Sequence, residues 1–151
     1  REIVLGDLFP APLEALAGEL SAAAARGVKV VVKVYSRVDV PGVAEVPEAD
    51  AARALDGWPG EPLTLVADAE EHLLALFDRG LSGVRQAVWS RSPFLSCVQH
   101  NRVAMELLHT AWKGRGSLAG ADALVGISLL ASRPPGLRRL REQAGSAGDE
   151  G

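Results

Sequence analysis

The apolar residues of this chain fall into short runs whose spacing changes from segment to segment, and the changes mark the elements. EIVLG, at 2–6, has the length and composition of a short strand. In PAPLEALAGELSAAAARG, at 10–27, Leu13, Leu16, Ala17, Leu20 and Ala24 recur at helical spacing, and Gly27 stands where a helix ends. VKVVVKVY, Val28 to Tyr35, is rich in β-branched residues and puts Val28, Val30, Val32 and Val34 on one face of a strand. Strand, helix and strand in that order predict a βαβ unit with parallel strands. From Ser36 to Gly60 the chain is rich in Pro, Gly, Ala and Asp, and the pattern supports only a short helix at Pro47 to Leu55.

Three apolar runs follow: PLTLVAD, EHLLALFD and VRQAVWS, joined by the short polar links AEE and RGLSG. Links this short predict an antiparallel meander. SPFLSCVQHNRVAMELLHTAWKG then reads as a helix with Ser92 as N-cap and Pro93 in its first position. Its Phe94, Leu95, Val98, Met105, Leu108 and Trp112 form the stripe expected to pack on the sheet. The expected class is α/β, a mixed sheet with a βαβ start and an antiparallel meander, helices packed on it. Residues 1–113 form the expected domain. Residues 114–151 read as an extension, with a helix at 118–131, the Pro-broken basic stretch RPPGLRRLREQ and a flexible end.

Composition narrows the function classes. A chain of 151 residues with 48% hydrophobic content supports one ordinary core and is too apolar for disorder. The formal charge of −3 provides no basic surface for neutralising phosphates, so DNA contact is expected to come from a segment outside this chain. The single Cys97 forms no internal disulfide, no signal peptide opens the chain, and the weakly polar run Leu118 to Ala131 is too short for a bilayer and contains Asp122. A cytoplasmic protein without a membrane span is expected. The start at Arg1 rather than Met reads as a piece of a longer protein.

Candidate chemistry is sparse. No Gly-Lys phosphate loop occurs, and Gly114, Gly116 and Gly120 miss dinucleotide spacing. Ser90 and Ser92 lack the glycines of a nucleophile elbow. Cys97 and His100 at i, i+3 offer two metal ligands, but His109 lies half a turn out of phase, so no metal is expected. Lys29 and Lys33 share a strand face and suit either an anion or the protection of an edge. No cofactor is expected.

Taken in order, ELSAAAARGVKVVVKVY, GWPGEPLTLVADAEEHLLALF and VRQAVWSRSPFLSCVQHNRVAMELL resemble the C-terminal effector domain of TrmB-type transcriptional regulators, over about Glu2 to Trp112. The resemblance implies half of a phospholipase D-like fold, joined through a linker to an N-terminal winged helix that binds DNA, neither of which is in this chain. It also implies a small-molecule effector, a sugar in archaeal members, and a homodimer. Phospholipase D enzymes carry H-x-K-x4-D, with His as nucleophile and Lys on the phosphate. With Asp68 placed on that Asp, Glu61 occupies the His position and Leu63 the Lys position. The catalytic pattern is lost, and the resemblance implies a pseudoenzyme. The alternatives are a phosphodiesterase or nuclease half, or an interaction domain without a small ligand.

Asp68 is then a turn residue or a remnant turned to ligand contact, and the turn reading is favoured. The ligand is expected where a strand end meets a helix start, at Trp89, Ser90, Arg91 and Ser92, since a helix N-terminus offers free N–H groups. Trp58, in DGWPGE, suits a stacking face or, more commonly, a loop anchor, and Arg91 suits a partner for a carboxylate or phosphate or, more commonly, a solvated surface residue.

Overall fold

The computed structural model describes residues 1–114 and 134–146. Strand β1 (Ile3–Leu8), helix α1 (Pro10–Ala25) and strand β2 (Lys29–Val34) open the chain, followed by β3 (Ala44–Pro47) and α2 (Ala51–Asp56). The strands β4 (Glu61–Ala67), β5 (Glu71–Phe77) and β6 (Val84–Ser90) come next, then the long helix α3 (Pro93–Lys113) and, beyond 115–133, helix α4 (Pro135–Ser146). All six strands form one mixed sheet in the order β3-β2-β1-β4-β5-β6. β1 pairs parallel with β2 and antiparallel with β4, and β4, β5 and β6 form the antiparallel meander, so the βαβ start and the meander share one sheet.

The period-2 alternation of the strands assigns each face its own core. Leu8, Val30, Val32, Val34 and Leu63 pack with Leu13 and Leu20 of α1. Ile3, Leu5, Val31, Val46 and Val66 pack on the other face with Val103, Ala104, Leu107 and Ala111 of α3. Gly27 ends α1 with φ of 86°, which costs a glycine little. No side chain at Phe9 caps α1. Glu61 does so from β4 instead: its carboxylate accepts from Ala11 N at 3.0 Å and from Gly80 N at 2.9 Å.

The structure corrects the expected stripe of α3. Of the expected stripe only Leu108 packs on the core; Phe94, Leu95, Val98, Met105 and Trp112 are exposed, while Ser96, Cys97, His100, Val103, Ala104, Leu107, Thr110 and Ala111 face inward. Both sets recur at helical spacing, and the inward set is the one with small side chains at 96, 97, 104 and 111. Small residues let the helix lie close on the sheet, so packing distance rather than side-chain hydrophobicity selects the face.

Two further regions differ from expectation. The stretch expected to be helical at 47–55 begins as β3, a parallel strand on β2, and α2 starts only at Ala51. Glu45 closes the preceding loop, its carboxylate accepting from Val40 N at 2.8 Å and Val38 N at 3.3 Å. The basic stretch after Arg133, expected to be broken by its prolines, is helical: Pro135 begins α4, a position where its missing N–H costs nothing. Gly136 N donates to Asp68 O at 2.7 Å, and a Cβ at Gly136 would sit 2.0 Å from Ala69 O, so only glycine permits this docking. Arg138 pairs with Glu2 and Arg139 with Glu70, at 3.1 and 3.5 Å. The helix expected at 118–131 lies outside the described residues. Among the described residues, no helix is long and apolar enough to cross a membrane.

Candidate ligand-binding site

The strand registers lay two rows of side chains across the α3 face of the sheet. Asp7, Thr64, Leu74 and Val88 are successive partners in one row, and Pro62, Leu76 and Gln86 in the next. α3 crosses above the sheet at an angle and leaves this end uncovered, with Gln99 and Arg102 as its wall. The result is a cleft of about 420 Å³, closed at the rim by Trp58, Phe9 and Tyr35. Pro62, Leu74, Leu76 and Val88 give its floor an apolar part, and Asp7, Thr64, Gln86, Gln99 and Arg102 add polar groups around it.

Those polar groups are held in place. Arg102 donates from Nε to Gln99 at 3.0 Å, from Nη1 to Glu106 at 2.6 Å and from Nη2 to Thr64 at 2.9 Å, which fixes the guanidinium plane. Three of its five donors are used by these contacts. The Tyr35 hydroxyl donates to Asp7 at 3.0 Å, and the Tyr35 ring packs on Phe9 with centroids 4.3 Å apart. Lys33 sits 5.0 Å over the Tyr35 ring and pairs with Glu48 at 3.3 Å. Burial pushes the Asp7 carboxyl up to about 6; Lys33 opposes that shift and the neighbouring Glu106 carboxyl adds to it. Trp58 is held through its backbone, as Arg79 donates to the carbonyls of Leu55 and Trp58, both at 2.9 Å.

Of the six residues singled out in the sequence, only Trp58 lines this cleft. Trp89 is 62% exposed, and Arg91 is exposed with only a 3.8 Å ion pair to Glu71. Ser90 accepts from Ser92 N at 3.2 Å, and Ser92 caps α3 by accepting from Leu95 N at 3.4 Å. Both hydroxyls serve the chain itself.

Asp68 is a turn residue with a second task. Asp68 and Ala69 both have φ of 56°, and Glu70 N donates to Ala67 O at 2.9 Å, the geometry of a primed hairpin turn. The buried Asp68 carboxylate accepts from Glu2 N at 2.8 Å and Ile3 N at 2.9 Å and pairs with Arg1 at 3.4 Å, tying down the start of β1. Glu61 and Asp68 stand at opposite ends of β4, about 23 Å apart along an extended strand.

The cleft sits beside the C-terminal ends of β1 and β2. The end of β6 lies at the other end of the sheet, because β6 runs antiparallel to β1. Asp7 and Tyr35 thus lie at the C-terminal ends of the parallel strands β1 and β2, and Ser90 and Arg91 at the C-terminal end of β6, at the opposite end of the sheet. The sequence carried one signal for this: Asp7 is the only charged residue of β1.

Residues 3–91, more than half of the chain, match the family described as "Transcriptional regulator TrmB, EBD N-terminal subdomain", EBD being the effector-binding domain. The chain belongs to this family. The match covers β1 to the end of β6, and so every strand of the sheet and every cleft residue except Gln99 and Arg102. No curated protein matches the chain. A small-molecule effector and a place in transcription regulation fit this TrmB domain.

Proposed function

We propose that this chain is the non-catalytic, ligand-sensing and self-associating part of a TrmB-like regulator, and that the cleft between α3 and the sheet takes the effector. The observation that carries the reading is the cleft itself: a space of the size that small ligands need, partly apolar on its floor, with Asp7, Tyr35 and Arg102 held by hydrogen bonds before any ligand arrives. Leu74, Leu76 and Val88 suit an apolar ring face, Trp58 suits stacking against it, and Gln86, Gln99 and the spare donors of Arg102 suit hydroxyls. A hydroxylated ring, with sugars among the candidates, matches that mixture.

The same reading holds that this is half of a phospholipase D-like fold whose chemistry is lost. Glu61 caps α1, Leu63 is buried in the α1 core, and Asp68 binds backbone, so none is available as a nucleophile or phosphate clamp. Effector binding would be passed to a winged helix outside this chain, in a cytoplasmic protein. The test is calorimetric titration with a panel of mono- and disaccharides. Binding that is lost in Arg102→Ala and weakened in Trp58→Ala, yet unchanged in Arg91→Ala, supports the cleft. Binding abolished by Arg91→Ala and untouched by Arg102→Ala would place the ligand at the β6–α3 junction instead.

A further inference from the structure

The two edges of the sheet are unlike. β3 is a four-residue strand ending in Pro47, short and chemically blunted. β6 has seven residues, with no proline and no lysine, and both of its faces are open: Val84 is 62% exposed, Val88 57% and Trp89 62%. Its one irregularity is a bulge at Arg85, between Gln86, which pairs with Leu76, and Val84, which pairs with Phe77, so the regular run is Gln86 to Ser90. Among the described residues, no strand pairs with its outer edge. Beyond that bulge, the exposed edge from Gln86 to Ser90 leaves a row of backbone N–H and C=O groups available for another strand.

The sequence VRQAVWS is also complementary to itself. In antiparallel pairing about a two-fold axis at Ala87, Ala87 meets its own copy and Gln86 meets Val88, with the bulged Arg85 outside the regular register. Arg85 is the strand's only charge, and the two-fold axis at Ala87 places the two copies of it on opposite sides of the axis. Self-pairing through β6 therefore brings no like charges together.

We propose that β6 pairs with β6 of a second copy of this chain, joining two six-stranded sheets into one continuous sheet. Gln86 and Val88 lie both in this seam and in the cleft lining, so each cleft would border the partner subunit. Effector binding and self-association would then share residues, and linkage makes the influence of each on the other reciprocal. The proposal deepens the self-association named above and rests on that reading, whereas the effector titration does not require the dimer.

The test uses the full chain in sedimentation velocity at micromolar concentrations. Ala87 is exposed and faces its own copy across the axis, so Ala87→Lys and Ala87→Asp each place like charges in contact at the seam. The expected result is a wild-type dimer, self-association weakened by about tenfold or more in each variant, and dimers restored when the two variants are mixed. Circular dichroism identical to wild type establishes that the variants fold. A wild-type monomer at high micromolar concentration, a variant that dimerises as the wild type does, or a mixture that stays monomeric would each overturn edge pairing. A monomer that still binds saccharide would overturn this proposal and leave the effector reading standing.

Discussion

Asp68 shows how one side chain can carry the local topology. Its carboxylate satisfies two backbone N–H groups at the start of β1, and its positive φ forms the β4–β5 turn. Asp68→Ala leaves those donors without a partner and is expected to cost about 2–4 kcal/mol, measured by urea denaturation, while Asp68→Asn retains an acceptor and costs less. An Asp68→Ala protein of wild-type stability would show that the clamp contributes nothing. The cap at Ser92 is weaker, and Ser92→Ala should cost about 1 kcal/mol. Two buried titratable groups act on stability in opposite directions. Asp7, raised by burial from 3.8 to about 6, takes up a proton on folding, so its contribution is complete below about 3.8 and is lost as the pH rises through about 6. His72, buried and 2.9 Å from Ser96, is lowered from 6.5 by desolvation, so stability falls as the pH drops below 6.5 and the unfolded chain gains a proton that the fold refuses. In thermal melts, Asp7→Asn should remove the loss between about pH 4 and 7 and leave the acid-side loss below 6.5 in place. Identical pH profiles for Asp7→Asn and wild type would contradict the assignment. The turn at Asp68 and the cap at Ser92 were legible in the sequence because both depend on neighbours within a few residues. Asp7 and Arg102 were not, since only the strand register and the crossing of α3 bring them together.

At the level of elements, what could be read from the sequence follows how local each signal is. The βαβ start was readable because Val28, Val30, Val32 and Val34 alternate strictly and Leu13, Leu16 and Leu20 follow helical spacing. The meander was readable because its links are short. α3 was readable as a helix with the correct start but the wrong inward face, because hydrophobicity alone ranks Phe94, Met105 and Trp112 above Ser96, Cys97 and Ala104. The inward face has a measurable consequence: Leu107→Ala should cost about 2–5 kcal/mol, whereas Met105→Ala, at an exposed position, should fall within about 0.5 kcal/mol of wild type. Equal costs, measured by chemical denaturation, would contradict the face assignment. β3 escaped notice because four residues are too few for a periodic signal, and its pairing is set by β2. α4 escaped because Pro134 and Pro135 read as breakers, although the second of them opens a helix.

For the whole molecule, one sheet with a helix on each face leaves one end of the α3 face uncovered, and that gap holds the polar groups of the cleft. Membership of the TrmB effector-binding family and the structural use of Glu61 and Asp68 point the same way, toward sensing rather than chemistry. Purified protein should accordingly show no phosphodiester hydrolysis above background, and turnover abolished by Asp68→Asn in a folded variant would contradict this. The position of the cleft was only half legible. Trp58 was visible as an aromatic in a Pro-Gly loop, but choosing the end of the sheet requires the direction of every strand, and β6 runs opposite to β1. The most direct measurement is a heteronuclear NMR titration of the chain with a saccharide that binds it. The expected perturbations cluster on Asp7, Tyr35, Trp58, Leu74, Val88 and Arg102. Perturbations confined to Trp89 through Phe94, with those six residues unmoved, would contradict an effector site in the cleft.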